Sequence, residues 1–392
     1  MLEHVYKGSR NYWLLLAFWV ALIAVGAAAY GIQLSEGLTI TGMSRDVSWG
    51  FYISQFTYLV GVAAAAVMVV IPYYLHNYKA FSKAVILAEF LAVPAVIMCM
   101  LFIFVDMGQP QRVLNVILHP TLNSVMFWDM SVLTGYLVLN LLIGTITFDA
   151  ERRNAPPPKW IKPFIYLSVP WAVSIHSGIA LRCAGLAGRP LWMTAIMAPR
   201  FLASAFAAGP SFLIILALIV RKVSKFDVGD HAIKTLATIV TYAMCLNIFF
   251  LGCELFTGLY SDMPHHLHSF EYMFLGIGEK NAIAPLMVFG QLLALTTTIL
   301  LVIPSIRYNK VLLPILAATS IGSLWIEKGL GLVITGFIPN PMGHVTEYLP
   351  TGLELAVAIG VYAVGFLILT ILYKIIIGVR ENVMQEIGRA SC

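Results

Sequence analysis

The chain's 392 residues are 60% hydrophobic and only 11% charged. Soluble domains are about 45–50% apolar, so a water-soluble globule and a disordered tail are both excluded, and the chain reads as a multi-pass protein of the cell membrane. Its net charge of +5 calls for no nucleic-acid partner, because most of it follows from a topological bias in where lysine and arginine fall.

A helix of about 20 apolar residues crosses a hydrocarbon core. Ten such spans are predicted in chain order: Tyr12 to Leu34, Phe51 to Tyr74, Lys83 to Val105, Val125 to Thr147, Ile161 to Arg182, Pro199 to Val220, Ile233 to Phe256, Ala282 to Ile303, Leu312 to Ile334 and Leu353 to Ile377. Of the 24 lysines and arginines, all but Arg45, Arg112, Arg182, Arg189, Arg200, Lys280 and Lys328 fall on the side of the two termini. That set includes Lys7, Lys225, Arg380 and Arg389, and the excess of positive charge marks the cytoplasmic side, so both termini are expected there. The opposite face carries the longer loops Ser35 to Gly50, Asp106 to Ser124, Arg182 to Arg200, Leu259 to Asn281 and Phe337 to Gly352, where a partner can dock. The first span is too long, and lacks the small-residue pattern, for a cleaved signal peptide; it is expected to stay as an anchor.

Ionisable residues stand out against this background. Asp106, Asp129, His176, Arg182, Glu254, Glu327 and Lys328 lie in or against apolar runs. A charge at membrane depth costs roughly 2.5–3.5 kcal/mol on insertion scales, so such residues face a bundle interior, pair, and mark ion, proton or ligand paths. His176 and Glu327 sit six and seven residues before outer span ends, about 9–10 Å deep. Glu89 is the intramembrane carboxylate of the cytoplasmic half, a candidate for an inward proton route.

The chain also repeats. Ile175 to Pro190 aligns without a gap to Ile326 to Pro341, matching Ile175 with Ile326, Gly178 with Gly329, Leu181 with Leu332, Gly185 with Gly336 and Pro190 with Pro341. Phe51, Ser54 and Phe56 likewise fall on Phe201, Ser204 and Phe206. The expected fold is an all-α polytopic membrane protein, a single domain over 1–392. It has two pseudo-repeated four-helix bundles, spans two to five and six to nine (about 49–190 and 199–341), plus flanking helices. An even number of helices separates the copies, so both bundles share one orientation and His176 and Glu327 become pseudo-equivalent. Similarity between apolar helices of few residue types is the competing explanation.

Trp49-Gly50-Phe51-Tyr52 opens span two, Asp106-Met107-Gly108-Gln109-Pro110 with Arg112 and Asn115 follows span three, and Asn123-Ser124 leads into span four. These motifs resemble the NrfD and polysulfide-reductase membrane-subunit family, and within it the branch associated with dissimilatory sulfite reduction. The family's usual middle motif is Asp-Leu-Gly-Arg-Pro, so Met107 and Gln109 depart from it, and loss of the arginine puts any charge contact there in doubt. The resemblance implies menaquinone or another quinone bound near the extracytoplasmic face, with no intrinsic haem or iron-sulfur cluster. It also implies an extracytoplasmic ferredoxin-like iron-sulfur subunit docked on that face, with further haem and iron-sulfur redox subunits beyond it.

Oxidising a quinol releases protons with its electrons, so a pocket needs bases inside an apolar wall. His176, Asp129, Asp106 and Glu327 are the candidate proton-handling residues; Trp49, Tyr52, Trp128, Trp171, Arg182 and Glu254 are candidates to line the cofactor. Each has a structural alternative. Asp106 suits a helix-ending turn with Gly108 and Pro110, His176 an interhelical hydrogen bond, Arg182 and Arg189 headgroup anchors, and Trp128 and Tyr260 the interfacial aromatic belt. Glu327 and Lys328 point about 100° apart on a helix and can serve different partners.

The five cysteines form no C-x-x-C pair, and Cys392 is terminal. His176 is the one histidine deep in a span, which speaks against a bis-histidine haem. His265, His266 and His268 suit a solvated or partner-facing loop better than a metal site. The rival functions are a proton-coupled secondary transporter and a passive membrane anchor for redox subunits.

Overall fold

The structure, a computed structural model, describes residues 3–6, 8–153, 155, 157–224 and 226–390. Lys7, Lys225 and Cys392 lie outside the described residues, as do the side chains of Arg380 and Arg389. Among these residues, ten long helices carry the fold: α1 Arg10–Glu36, α2 Phe51–Leu75, α3 Ser82–Asp106, α4 Val125–Arg152, α5 Lys162–Ala184, α6 Met197–Val223, α7 Asp230–Tyr260, α8 Ala284–Val302, α9 over 312–336 and α10 Gly352–Ala390. Among the described residues, all of these but α9 are nine apolar helices long enough to cross a membrane. The chain is an all-α, multi-pass membrane protein.

The ninth expected span departs from the sequence pattern in its local structure. The uninterrupted helix predicted over Leu312 to Ile334 is instead an α-helix, Leu312–Ile326, a π turn, Glu327–Gly331, and a short α-helix, Leu332–Gly336. A π turn widens the backbone ring and disturbs regular carbonyl pairing. Here side chains from other segments take up carbonyls: Gln55 Nε2 donates to Gly329 O at 2.7 Å, and Trp192 Nε1 donates to Leu332 O at 2.8 Å. Gln55 Oε1 in turn accepts from Trp325 Nε1 and Tyr362 OH, so one buried amide ties α2, α9 and α10 together. The loop between α7 and α8 also contains a helix, Pro264–Phe274, which opens on a proline whose missing N–H costs nothing there.

Within α2 to α5, each helix packs on the next and α5 closes back on α2; within α6 to α9, each again packs on the next and α9 closes back on α6. The two groups meet through α2 with α6, α5 with α6, and α2 with α9. α10 lies against α1 and α3. Burial follows this plan: α3 is 78% buried over its apolar window and α1 only 11%, so α3 is a core helix and α1 faces the surroundings. Lipid tails and apolar side chains are equally hydrophobic, so helices associate in lipid through close packing of small residues. Gly26 of α1 and Gly360 of α10 meet backbone to backbone, with no room for a Cβ on either.

The loops at one end are stitched together. Glu354, fully buried, accepts from Gly42 N and Thr351 N at 2.8 Å and from Tyr348 OH at 2.7 Å, while Tyr348 OH accepts the otherwise orphaned Phe51 N at the start of α2. Arg189 reaches Phe337 O and Asp46 O, and Asp46 accepts from Asn340 and Thr346.

Candidate functional site

Two buried polar groupings arise where helix ends and apolar faces converge. The first lies where α4 begins and α5 ends. Asp129 falls in the second turn of α4, and Arg182 in the last turn of α5, where a cation complements the helix dipole. Arg182 Nη1 donates to Asp129 Oδ2 at 3.0 Å, and the guanidinium carbon Cζ lies 4.8 Å from the Trp49 ring centroid. Trp49 is itself stacked on Trp192, centroids 5.7 Å apart, and edge-on to Phe337. An arginine can hold a carboxylate and an aromatic face at once because its planar fork bonds at the edge and stacks on the face. Gly178 stands against Asp129 Oδ1, leaving the carboxylate close to the α5 backbone. Asp106, at the end of α3, is in electrostatic reach of Arg182, and its Oδ1 is buried with no hydrogen-bond partner.

The other aromatic candidates occupy separate places. Tyr52 is fully buried and donates to Gln33 Oε1 at 2.6 Å, while Gln33 Nε2 donates to Val105 O. Trp171 donates to Val132 O at 2.8 Å and packs its ring on Gly135. Trp128 is 54% exposed, with its indole N–H on Leu122 O. Gln109, where the family motif has arginine, is exposed and bonded to Gln111.

The second grouping is deeper and centres on Arg200, in the first turn of α6 and 2% exposed. Its guanidinium donates to Glu327 Oε1 from Nη2 at 2.7 Å and from Nε at 3.2 Å, and Nη1 bonds Glu254 Oε2. Asn247 Nδ2 donates to Glu327 Oε2 at 2.9 Å. Glu254 Oε1 and Asn247 Oδ1 are buried and unpartnered. One permanent cation thus bridges two carboxylates in a low-dielectric interior, with Lys328 in electrostatic reach of both, and removal of the arginine strands buried charge.

Glu327 and Lys328 diverge from adjacent positions of the π turn. Lys328 Nζ donates to Arg200 O at 3.0 Å and lies 4.1 Å from the Phe201 ring centroid. It also lines, with His176, Gly61 and Ser204, a cavity of about 10 Å³ between the two helix groups. That volume suits about one water molecule and no ring-sized ligand. Glu89 is buried in α3, with Thr147 Oγ1 3.4 Å from its Oε2. His266 is buried against Phe270 on the helix Pro264–Phe274. Among the described residues, no three or more His, Cys, Asp or Glu side chains converge as metal ligands do.

The structure therefore brings together Asp129, Arg182 and Trp49, with Asp106 in reach. It separately joins Glu254 with Glu327, and His176 with Lys328. Arg200 was not among the site residues named from sequence, which assigns it to the edge of the outer loop Arg182 to Arg200. The helix starts earlier, at Met197, which turns Arg200 inward. Two carboxylates in apolar runs demand a cation, and that demand is the available signal. Glu354 was missed as well, because one acid just inside a span start looks like an ordinary helix-start residue.

A family described as "Polysulphide reductase, NrfD" matches residues 39–338. A Halobacterium salinarum protein provisionally named as a dimethyl sulfoxide reductase membrane subunit is 24% identical over 88% of this chain and 87% of its own length. The Hdr-like menaquinol oxidoreductase integral membrane subunit of Archaeoglobus fulgidus is 22% identical, covering 97% of this chain and 96% of its own. The menaquinone reductase integral membrane subunit of Nitratidesulfovibrio vulgaris is 23% identical over 88% and 87%.

Proposed function

We propose, from the premise that this chain belongs to the NrfD polysulphide reductase family, that it is the quinone-interacting membrane subunit of a multisubunit oxidoreductase. The match over 39–338, together with relatives named for menaquinol and menaquinone chemistry, supports a membrane subunit of a quinone-linked redox system. The finer reading is exchange of electrons between a menaquinol pool and an extracytoplasmic ferredoxin-like iron-sulfur subunit, linked onward to haem and iron-sulfur partners. Within the family, the stretch Ser168 to Pro210 most resembles DsrP, the membrane subunit of the DsrMKJOP complex of dissimilatory sulfur metabolism.

The observation that carries this reading is the Arg182 guanidinium held between the Asp129 carboxylate and the Trp49 ring. A quinone head needs a donor at its oxygen, a base nearby and an aromatic wall, and these three groups fit that need. The unpartnered Asp106 Oδ1 adds an acceptor within reach of the same arginine. When bound, a quinone or quinol supplies the two-electron, two-proton couple that the protein's side chains lack. Arg182 orients through its fixed fork, Trp49 excludes water from one face, and Asp129 and Asp106 accept protons at Oδ1 or Oδ2. His176 and Lys328 face a cavity too small for the ring, so we assign them, with Glu327, Arg200 and Glu254, to holding or moving protons between the helix groups.

An internal repeat is part of this proposal. The closed rings α2 to α5 and α6 to α9, with α5 on α6 mirrored by α9 on α2, are the neighbour pattern expected of two bundles related about the membrane normal. On that reading α9 is a tenth crossing, both termini face the cytoplasm, and the Asp129 site opens toward the extracytoplasmic loops.

The test is quinol-driven reduction of the iron-sulfur partner in the purified complex, alongside binding of a menaquinone analogue. Asp129→Asn and Arg182→Lys are expected to lower reduction by about 100-fold, the lower range for a lost acid–base group, with assembly intact. Unchanged reduction and binding in both variants would remove the site assignment, and a wild-type complex with no quinone response would return the transporter or anchor readings.

A further inference from the structure

At the lysine-rich ends of α2, α3 and α5, with α5 running from here to Arg182 at its other end, lies a pocket of about 440 Å³ lined by Tyr73, Tyr74, Asn77, Lys79, Lys162 and Tyr166, among others. We infer that this pocket binds a phosphate group, and that its source is the headgroup of an anionic phospholipid.

The inference rests first on charge. Several cations on this face pair with acids of the protein: Arg152 and Arg153 reach Asp149, Arg221 reaches Asp227 and Asp230, and Lys310 reaches Asp230. Among the described residues, Lys79 and Lys162 make no ion pair and the pocket lining contains no carboxylate. Two uncompensated ammonium groups on one concavity repel each other, a cost that a bound anion removes. Lys159, in the turn Lys159–Ile161 that enters α5, adds a third positive charge to the start of that helix.

The rim selects the source. Trp160, Tyr166 and Leu75 are 54%, 48% and 51% exposed around the same helix ends. Exposed aromatic and aliphatic side chains beside lysines are the composition of a membrane–water interface, where rings sit at headgroup level and lysine stems run along acyl chains. A basic pocket between membrane helices on the positively charged side is suited to an anionic headgroup. A soluble phosphate would fill the charged floor and leave the apolar rim unused.

The test is native mass spectrometry of the full, detergent-solubilised protein titrated separately with phosphatidylglycerol, phosphatidylcholine and inorganic phosphate. Wild type is expected to retain phosphatidylglycerol preferentially. K79Q/K162Q, which alters two exposed side chains only, is expected to weaken that retention at least tenfold, and K222Q, on the same face outside the pocket, to leave it unchanged. Equal retention by wild type and K79Q/K162Q overturns the site. Binding of inorganic phosphate with no preference for phosphatidylglycerol overturns the lipid source.

Discussion

Arg200 and Glu327 are separated by 127 positions in the chain and by 2.7 Å in the fold, and the same guanidinium also bonds Glu254. The contact joins the first turn of α6 to the π turn of α9, so the irregular segment of α9 is anchored by charge as well as by packing. With both partners nearly devoid of exposed surface, neither can turn to water if the other is lost.

Arg200→Gln is therefore expected to destabilise the protein by about 3–5 kcal/mol, the cost of stranding buried charge. Thermal unfolding in detergent would show it. Adding Glu254→Gln and Glu327→Gln to Arg200→Gln is expected to recover much of the loss, since the uncompensated carboxylates go with the cation. A triple variant less stable than Arg200→Gln alone would count against charge compensation as the role of the cluster.

His176 packs between the two helix groups beside Gly61. His176→Ala is expected to enlarge the small cavity there and cost about 2–4 kcal/mol, in the range of large-to-small core changes. Menaquinone-analogue binding by the assembled complex should persist, in contrast to Asp129→Asn. Parallel loss of binding in His176→Ala at undiminished thermal stability would move the head-group site toward His176.

In the loops that precede α2 and α10, hydrogen bonds from Asn340 and Thr346 hold the Asp46 carboxyl below its usual range. A depressed folded pKa means the folded loop binds the proton more weakly than the unfolded chain does. The stabilising effect is complete above the ordinary aspartate value of about 3.9 and disappears as pH falls through the lower folded value. Amides of residues 340–346 should keep their hydrogen-exchange protection, relative to intrinsic rates, down to that ordinary value and lose it in more acid solution. Asp46→Asn should flatten the acid part of this profile; an unaltered profile would break the link to Asp46.

Gly26 and Gly360 leave no room for side chains where α1 crosses α10. Gly26→Leu is expected to cost about 1–3 kcal/mol through overpacking and to loosen α1 selectively, because α1 contributes little to the core. Limited proteolysis should then cut near Gly37 faster while the α2 to α9 region stays resistant. Uniform proteolysis of the whole chain would show that α1 is integral to the fold.

Much of this architecture was legible in the amino-acid order. Apolar runs of membrane-spanning length leave a backbone no option but to satisfy its own hydrogen bonds as helix, so the long helices and their approximate ends follow from composition alone. Buried acids such as Glu254 and Glu327 announce themselves by their cost in an apolar run, as does Asp129 near its outer end. Which cation answers which acid is different in kind. Arg200 rather than the sequence neighbour Lys328 reaches both glutamates, and Arg182 rather than His176 meets Asp129, because helix rotation and crossing decide side-chain contacts between segments 53 to 127 residues apart. The π turn at Glu327–Gly331 likewise depends on Gln55 and Trp192, which reach carbonyls of α9 from elsewhere in the chain. Local hydropathy determined that the chain crosses the membrane as helices; only tertiary packing, by matching donors to acceptors across those helices, decided where the charges meet.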